Sequence, residues 1–524
     1  MLSRVLGLAR EQMMAHFFGI GVLKSAFDVA FTVPNLFRRL FGEGALSSAF
    51  IPVFGETART RSAAEAFAFA SRVLTLLFCV LGFATAALLL AMWAFGGAVA
   101  ECGERWAAVM PLMRTMLPYA LLICLAAILS GMLNTFGRFA VPAFTPLVLN
   151  FAWIGAILAT ARWMQDADDM ERLLAISKAV VAAGVLQIAV QLPSLRRLGF
   201  RFKIRLRGIM SDSRMRLTLK LMAPAALGMG LVQINVCVDK FLAMWAADYA
   251  PAALEYAERI VYLPLGVFAT AFTTVLLPAF TAMAASGDRT AVGEEAARAL
   301  RNLFFAMIPG MALLAALSPE IIHLLYAFEG GAFANDPRAT TLAARALVCY
   351  APGLVVFCLQ KVLAPAYYAF KDVTTPLKIS LACLLLNIVL NVSSILALPD
   401  GWRHTGIAGS TVACSLVNGV ALFACLKRHG VSVALGGVAA SAARFAVAAA
   451  PAAAVAAWAW HAAPAMYGAE TDAAGWPVSK TAETAAAACA FAAAGAVYFG
   501  ISAIFARKDL AAAAKALRRR RKAK

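Results

Sequence analysis

Two adjacent arginines, Arg38 and Arg39, stand in a stretch otherwise apolar enough to enter a bilayer: DVAFTVPNLFRRLFGEGALSSAFIPVF, residues 28–54. Guanidinium forks match phosphate oxygens in bidentate pairs, so the chemistry indicated is capture of a phosphate or pyrophosphate. On a helix advancing about 100° per residue, Asp28, Asn35, Arg39 and Glu43 fall within one narrow sector, with Arg38 at its edge. A charge is costly at the bilayer centre, so such a stripe faces protein or a water-filled cavity. The expectation is a cationic cavity inside a membrane.

Further ionisable groups lie in other apolar segments. Arg4, Arg10 and Glu11 sit near the N-terminus; Arg4 and Glu11, seven apart, share a face. Arg4 is shallow enough to snorkel to the cytoplasmic surface, and Arg10 is not. Glu255, Glu258, Arg259 and Tyr262 occupy one face at i, i+3, i+4, i+7. Gln233 and Lys240 share a face, as do Asn235 and Asp239; Lys361 precedes Tyr368 by two turns. Asn387 and Asn391 are an i, i+4 pair, a type that often serves plain hydrogen bonding between membrane helices.

No catalytic constellation accompanies these groups. The five histidines are scattered and there is no HExxH, P-loop or GxSxG sequence. The acidic cluster of Asp166, Asp168 and Asp169 falls on the expected outer side, away from where a lipid-linked glycosyltransferase would need it. A transporter is expected, not an enzyme. No metal and no cofactor are expected, apart from a coupling cation or the membrane potential.

The elements that must position these residues are membrane helices. The chain has 524 residues, 62% of them hydrophobic and 14% charged, with mean hydropathy +0.78. Apolar runs long enough to cross a bilayer recur throughout, giving about 14 spans in an all-α polytopic protein. The net charge of +19 reads as an excess of Lys and Arg in cytoplasmic linkers, not as a nucleic-acid surface. Basic linkers (Arg196 to Lys220 the richest) alternate with acidic ones, such as the Asp166 to Glu171 linker, along the whole chain. Both termini are therefore expected in the cytoplasm. The ten cysteines are scattered without a CxxC and read as small core residues. The N-terminus carries charges within its apolar run and does not read as a signal peptide.

A weak repeat relates two halves. FGRFAVP (residues 136–142) resembles FKDVTTP (370–376), and Pro34 and Pro52 have counterparts in Pro264 and Pro278. The offset of about 230 residues suits two six-helix halves in parallel orientation. The expected organisation is an N-lobe (1–196), a basic cytoplasmic linker (197–216), a C-lobe (217–428), two Ala-rich spans (429–506) and a basic tail (507–524). Within the linker, FRFKIRLR (200–207) alternates apolar and basic residues strictly. That fits an extended interfacial piece with its basic groups toward anionic headgroups, or simply a topological linker.

SRVLGLARE (3–11), PNLFRRLFGEGALSSAFIPVF (34–54), YAER (256–259) and KVLAPAYYAFKDVTTPLK (361–378) resemble the MurJ (MviN) lipid II flippases of the MOP exporter superfamily. The resemblance covers nearly the whole chain. It implies a fourteen-helix, two-lobed protein of the bacterial inner membrane. Its cargo would be the undecaprenyl-pyrophosphate-linked peptidoglycan precursor, carried from the cytoplasmic to the periplasmic leaflet. On this resemblance Arg4, Arg10, Arg38 and Arg39 are cavity arginines, with Glu11, Arg259 and Glu258 as their acidic and basic partners; the polar pattern adds Glu43 and Lys361 as expected substrate contacts. Arg10, Arg39 and Arg259 are expected to bind the pyrophosphate together. Asp28, Asp239, Asn387 and Asn391 are candidates for coupling. The family often has Asp where Ser25 stands, and its cation site has a carboxylate where Asn391 stands. The leader before SRVLG is short, as if the start were placed late. Spans 13 and 14 would offer a groove for the polyprenyl tail. Lipid II and membrane lipids are the implied partners of a monomer associated with the cell-wall synthesis machinery. The alternative is another exporter of the superfamily, for polysaccharide-lipid or drugs.

Overall fold

The computed structural model describes residues 2–40, 46–101, 103–206, 209, 211–466, 471, 476–477 and 479–507. They are helical almost throughout, with no β-strand among the described residues. Two compact units are present, residues 1–252 and 253–524.

The first unit holds α1 (Leu2–Phe18), α2 (Val22–Phe37), α3 (Leu46–Thr60), α4 (Ala63–Glu101), α5 (Glu104–Met116), α6 (Pro118–Thr135), α7 (Ala140–Trp163), α8 (Asp169–Arg197) and α9 (Ser213–Ala246). Here α1 packs on α7, α2 on α5 and α6, and α9 on α2 and α3. Helix α9, expected to open the second lobe, thus groups with the first unit. The division falls within α10 (Ala250–Ala285). The second unit continues with α11 (Arg289–Ala316), α12 (Ser318–Tyr326), α13 (Ala332–Asn335), α14 (Ala339–Tyr350), α15 (Gly353–Ala369), α16 (Thr374–Ala397), α17 (Arg403–Leu426), α18 (Leu435–Met466) and α19 (Lys480–Phe505). There α18 packs on α19 and α11, and α17 on α15 and α16.

Among the described residues nine helices are long and apolar enough to cross a membrane, or ten if the bent pair α14–α15 counts as one span. The chain is an integral membrane protein; the count of fourteen stays an expectation. Of the stretch expected as one span over 26–54, residues 41–45 lie outside the described residues. Helix α2 ends at Phe37, residues 38–40 form a π-helical turn, and α3 starts at Leu46.

The two Phe-to-Pro stretches share a turn of the kind that also closes α8 at Gly199 and α10 at Gly287. After α6 the chain turns with Gly137 N–H bonded to Asn134 O and Arg138 N–H to Leu133 O. After α15, Lys371 N–H bonds Tyr368 O and Asp372 N–H bonds Tyr367 O in the same pattern. Both turns need a left-handed residue: Gly137 (φ 72°) takes it freely, whereas Lys371 (φ 60°) takes it against the usual steric cost. The breaks before α6 and α15 also correspond, each beside a proline, Pro118 and Pro352.

Side-chain caps start several helices. Asp168, of the acidic cluster with Asp166 and Asp169, accepts from Glu171 N–H at 2.7 Å and caps α8. Asp372 accepts from the N–H groups of Thr374 and Thr375 at α16 and pairs with His429 at 2.9 Å. Burial raises the Asp372 carboxyl, but its bonds from Thr375, His429 and Thr374 outweigh that and hold it well below its ordinary value. This stabilisation is full above the ordinary carboxylate range and is lost only as pH falls through the depressed folded value. Histidines that look solitary in the sequence are thus tied in place: His323 meets Glu483 at 2.7 Å and His461 meets Glu320 at 3.2 Å.

Candidate functional site

The first unit holds a buried chain of charges. Arg10 on α1 donates to Glu11 at 2.7 Å, and its guanidinium lies 4.0 Å over the Trp153 ring of α7. Arg10 also reaches Asn150 Oδ1 at 3.5 Å, and Asn150 donates to Ser3 O at 3.3 Å. Trp153 is itself held edge-on by Phe27 and Phe31 of α2. Lys24, 0% exposed, points its ammonium at both Asp28 oxygens at 2.6 Å and at Glu11 Oε2 at 3.5 Å. Arg10, Glu11, Lys24 and Asp28 therefore form one alternating array. Ser25, beside it, accepts from Ala252 N–H at 3.4 Å.

Arg38 and Arg39 are arranged differently. Both are half-buried in the π-helical turn that closes α2. Arg38 Nε donates to Asn35 Oδ1 at 3.0 Å, and Arg39 donates to Gln233 Oε1 of α9 at 3.5 Å. The Arg39 guanidinium meets a neutral amide and, among the described residues, no carboxylate. Its charge is not neutralised by any described carboxylate, which leaves it able to meet an anion. Arg4 is exposed on the first turns of α1, and Glu11, two turns further along the same helical face, is buried. Glu43 lies outside the described residues.

In the second unit Arg259 pairs with Glu255 at 3.0 Å, one turn apart on α10, with Glu258 half-buried beside it. Tyr262 of the same face stacks on Phe357. Lys361 is exposed on α15. Asn391 donates to Asn387 at 2.9 Å within α16, where both are buried. Asp239, in the first unit, accepts from Asn235 at 3.2 Å on α9. The two asparagines spend amide groups on each other and bring no carboxylate, which makes them a poor donor set for a hard cation. No cluster of metal-ligating side chains occurs among the described residues.

Lys24, a member of this buried array, is the residue of it that sequence reasoning missed. Its i, i+4 spacing to Asp28 was a readable signal. The helical wheel beyond Phe37 also misled, because a π-helical turn carries more residues per turn than the α-helix assumed.

The profile of the lipid II flippase MurJ family matches residues 14–471. A probable lipid II flippase MurJ of Rhizobium tropici is 34% identical over 433 residues, covering 82% of this chain and 79% of that protein. The lipid II flippase MurJ of Burkholderia cenocepacia is 31% identical over 439 residues, covering 82% of each. Among solved structures, a lipid II flippase MurJ in an inward closed conformation superposes with TM-score 0.74 at 24% identity, over 97% of both chains. An inward-facing multidrug resistance MATE family transporter of the MOP superfamily superposes with TM-score 0.66 at 16% identity, over 82% of this chain and 94% of that one. At these identities the two superpositions speak for the fold.

Proposed function

The chain belongs to the lipid II flippase MurJ family, and from that premise we propose that it carries lipid II from the cytoplasmic to the periplasmic leaflet of the bacterial inner membrane by alternating access. The observation that carries the site assignment is the contrast between the arginines of the first unit. Arg39 is half-buried and spends its fork on a neutral amide. Arg10 is committed to Glu11 and Trp153. Arg39, with Arg38 and Arg4, takes up the pyrophosphate; Arg10, Glu11, Lys24 and Asp28 hold α1 and α2 in the geometry that presents them. Glu43, Arg259, Glu258 and Lys361 contribute further polar contacts to the headgroup. Helices α18 and α19 expose Val447, Trp458, Phe491 and Phe499, an apolar surface suited to the polyprenyl tail. In cells depleted of the protein, lipid II accumulates in the inner leaflet and re-expression restores outward movement; unchanged leaflet distribution on depletion contradicts the reading.

Return of the empty carrier draws on the membrane potential or a cation gradient acting on Asp28, Asp239 or Glu258. Collapsing both in vesicles is expected to slow transport severalfold, and an unchanged rate removes this part of the reading. The Lys/Arg asymmetry supports cytoplasmic termini and a cytoplasmic 197–216 linker. An Arg205→Cys variant is expected to react with an impermeant maleimide only after the cells are opened; labelling of intact cells refutes this topology.

A further inference from the structure

The linker after α8 has a construction that lipid transport does not require. Helix α8 ends in the exposed Arg196 and Arg197, and the chain turns away at Gly199 (φ 89°). The segment beyond this turn is pinned at two points. Phe200 is buried against Phe67, with ring centroids 5.5 Å apart, and Arg205 N–H donates to Thr75 Oγ1 of α4 at 3.3 Å. Between the pins the chain forms no helix, and in extended backbone alternate side chains point to opposite sides. Phe202, Ile204 and Leu206 lie 50%, 73% and 63% exposed, a continuous apolar edge. Arg201 and Lys203, alternating with them, are exposed as well, with Arg205 half-buried.

No acidic residue occurs between Arg196 and Leu206. Asp212, a little further along the chain, is already engaged by Arg72 and by Arg214 at 3.0 Å. Burial raises the Asp212 carboxyl, but the bonds and charges of Arg214 and Arg72 outweigh this and keep it below its ordinary value, ionised and committed to them. Arg196, Arg197, Arg201, Lys203 and Arg205 thus have no carboxylate partner among the described residues. Water satisfies the cations but not the apolar edge; hydrocarbon satisfies the edge but not the cations. The interface of an anionic leaflet satisfies both.

We propose that residues 196–206 form a strap that binds anionic phospholipid headgroups, with Phe202, Ile204 and Leu206 entering the acyl boundary and Arg201, Lys203 and Arg205 holding phosphate oxygens. A purely topological linker needs the charges but neither the strict alternation nor the two pins.

The test is native mass spectrometry of the purified full chain titrated with phosphatidylglycerol or phosphatidylcholine. The wild type is expected to retain phosphatidylglycerol on the order of tenfold more tightly. Arg201→Gln/Lys203→Gln/Arg205→Gln loses that preference, and Phe202→Ser/Ile204→Ser/Leu206→Ser weakens retention of both lipids. Lys427→Gln/Arg428→Gln, at an exposed basic helix end elsewhere, leaves the preference intact. Equal retention of the two lipids by the wild type overturns the proposal. So does an unchanged preference in the 201/203/205 variant, or an equal loss in the 427/428 variant.

Discussion

Arg39→Ala fails to support growth of depleted cells although it reaches normal abundance in the membrane, and Arg39→Lys supports growth only in part. These outcomes follow from where the guanidinium sits. It is half-buried, bonded to the neutral Gln233 amide at 3.5 Å, and so contributes little that the fold depends on. Each hydrogen bond it makes to an ionised phosphate oxygen is worth roughly 1.5–3 kcal/mol. At about 1.4 kcal/mol per tenfold, losing one such bond costs on the order of ten- to a hundredfold in affinity for the pyrophosphate. Lysine keeps the charge but cannot present two parallel donors, hence the intermediate result. If Arg39 only locked α2 to α9 through Gln233, Gln233→Ala would reproduce the defect. It is expected to complement nearly as well as the wild type.

Lys24→Met is expected to remove most of the folded protein from the membrane. The ammonium is fully buried between Asp28 and Glu11, and deleting one member of a buried ion pair typically costs about 3–5 kcal/mol, because the remaining charge is stranded. Methionine preserves much of the volume, so the loss is electrostatic and not a packing defect. Lys24→Met/Asp28→Asn is expected to recover part of the abundance, since it removes a stranded carboxylate together with its partner. Thermal melts of the purified single and double variants measure the coupling. A Lys24→Met protein as stable as the wild type, or strictly additive effects, contradicts this role. Arg10→Ala belongs with this class, because Arg10 is tied to Glu11 and to Trp153.

Much of this was legible before any coordinates. Apolar length and the rarity of charge establish a polytopic helical membrane protein, because lipid tolerates no unsatisfied backbone. The Phe-to-Pro repeat was visible as seven residues, and both copies carry a left-handed turn, at Gly137 and Lys371, of a kind that also ends α8 and α10. The RRLFGEGALSSAF stretch marked the arginines because paired guanidinium groups in an apolar run have few other uses. What stayed hidden depends on helix rotation and irregularity. The wheel treated 28–54 as one α-helix, and the π-helical turn at residues 38–40 broke that periodicity. Arg10 was read as a substrate ligand from its depth and from the family resemblance; its partners on α7, Asn150 and Trp153, lie far along the sequence and no local pattern announces them. Lys24 was passed over because it stands outside the motif, although its spacing to Asp28 is local. The Asn387–Asn391 pair was read by spacing, and the structure shows where its hydrogen bond goes.

The most direct test of the central claim is a leaflet assay for lipid II in cells whose only copy of this protein is the Arg39→Ala variant, with its membrane abundance measured in the same cells. The account predicts normal abundance, lipid II retained in the inner leaflet and outward movement partly restored by Arg39→Lys. Wild-type outward movement by Arg39→Ala at normal abundance contradicts it.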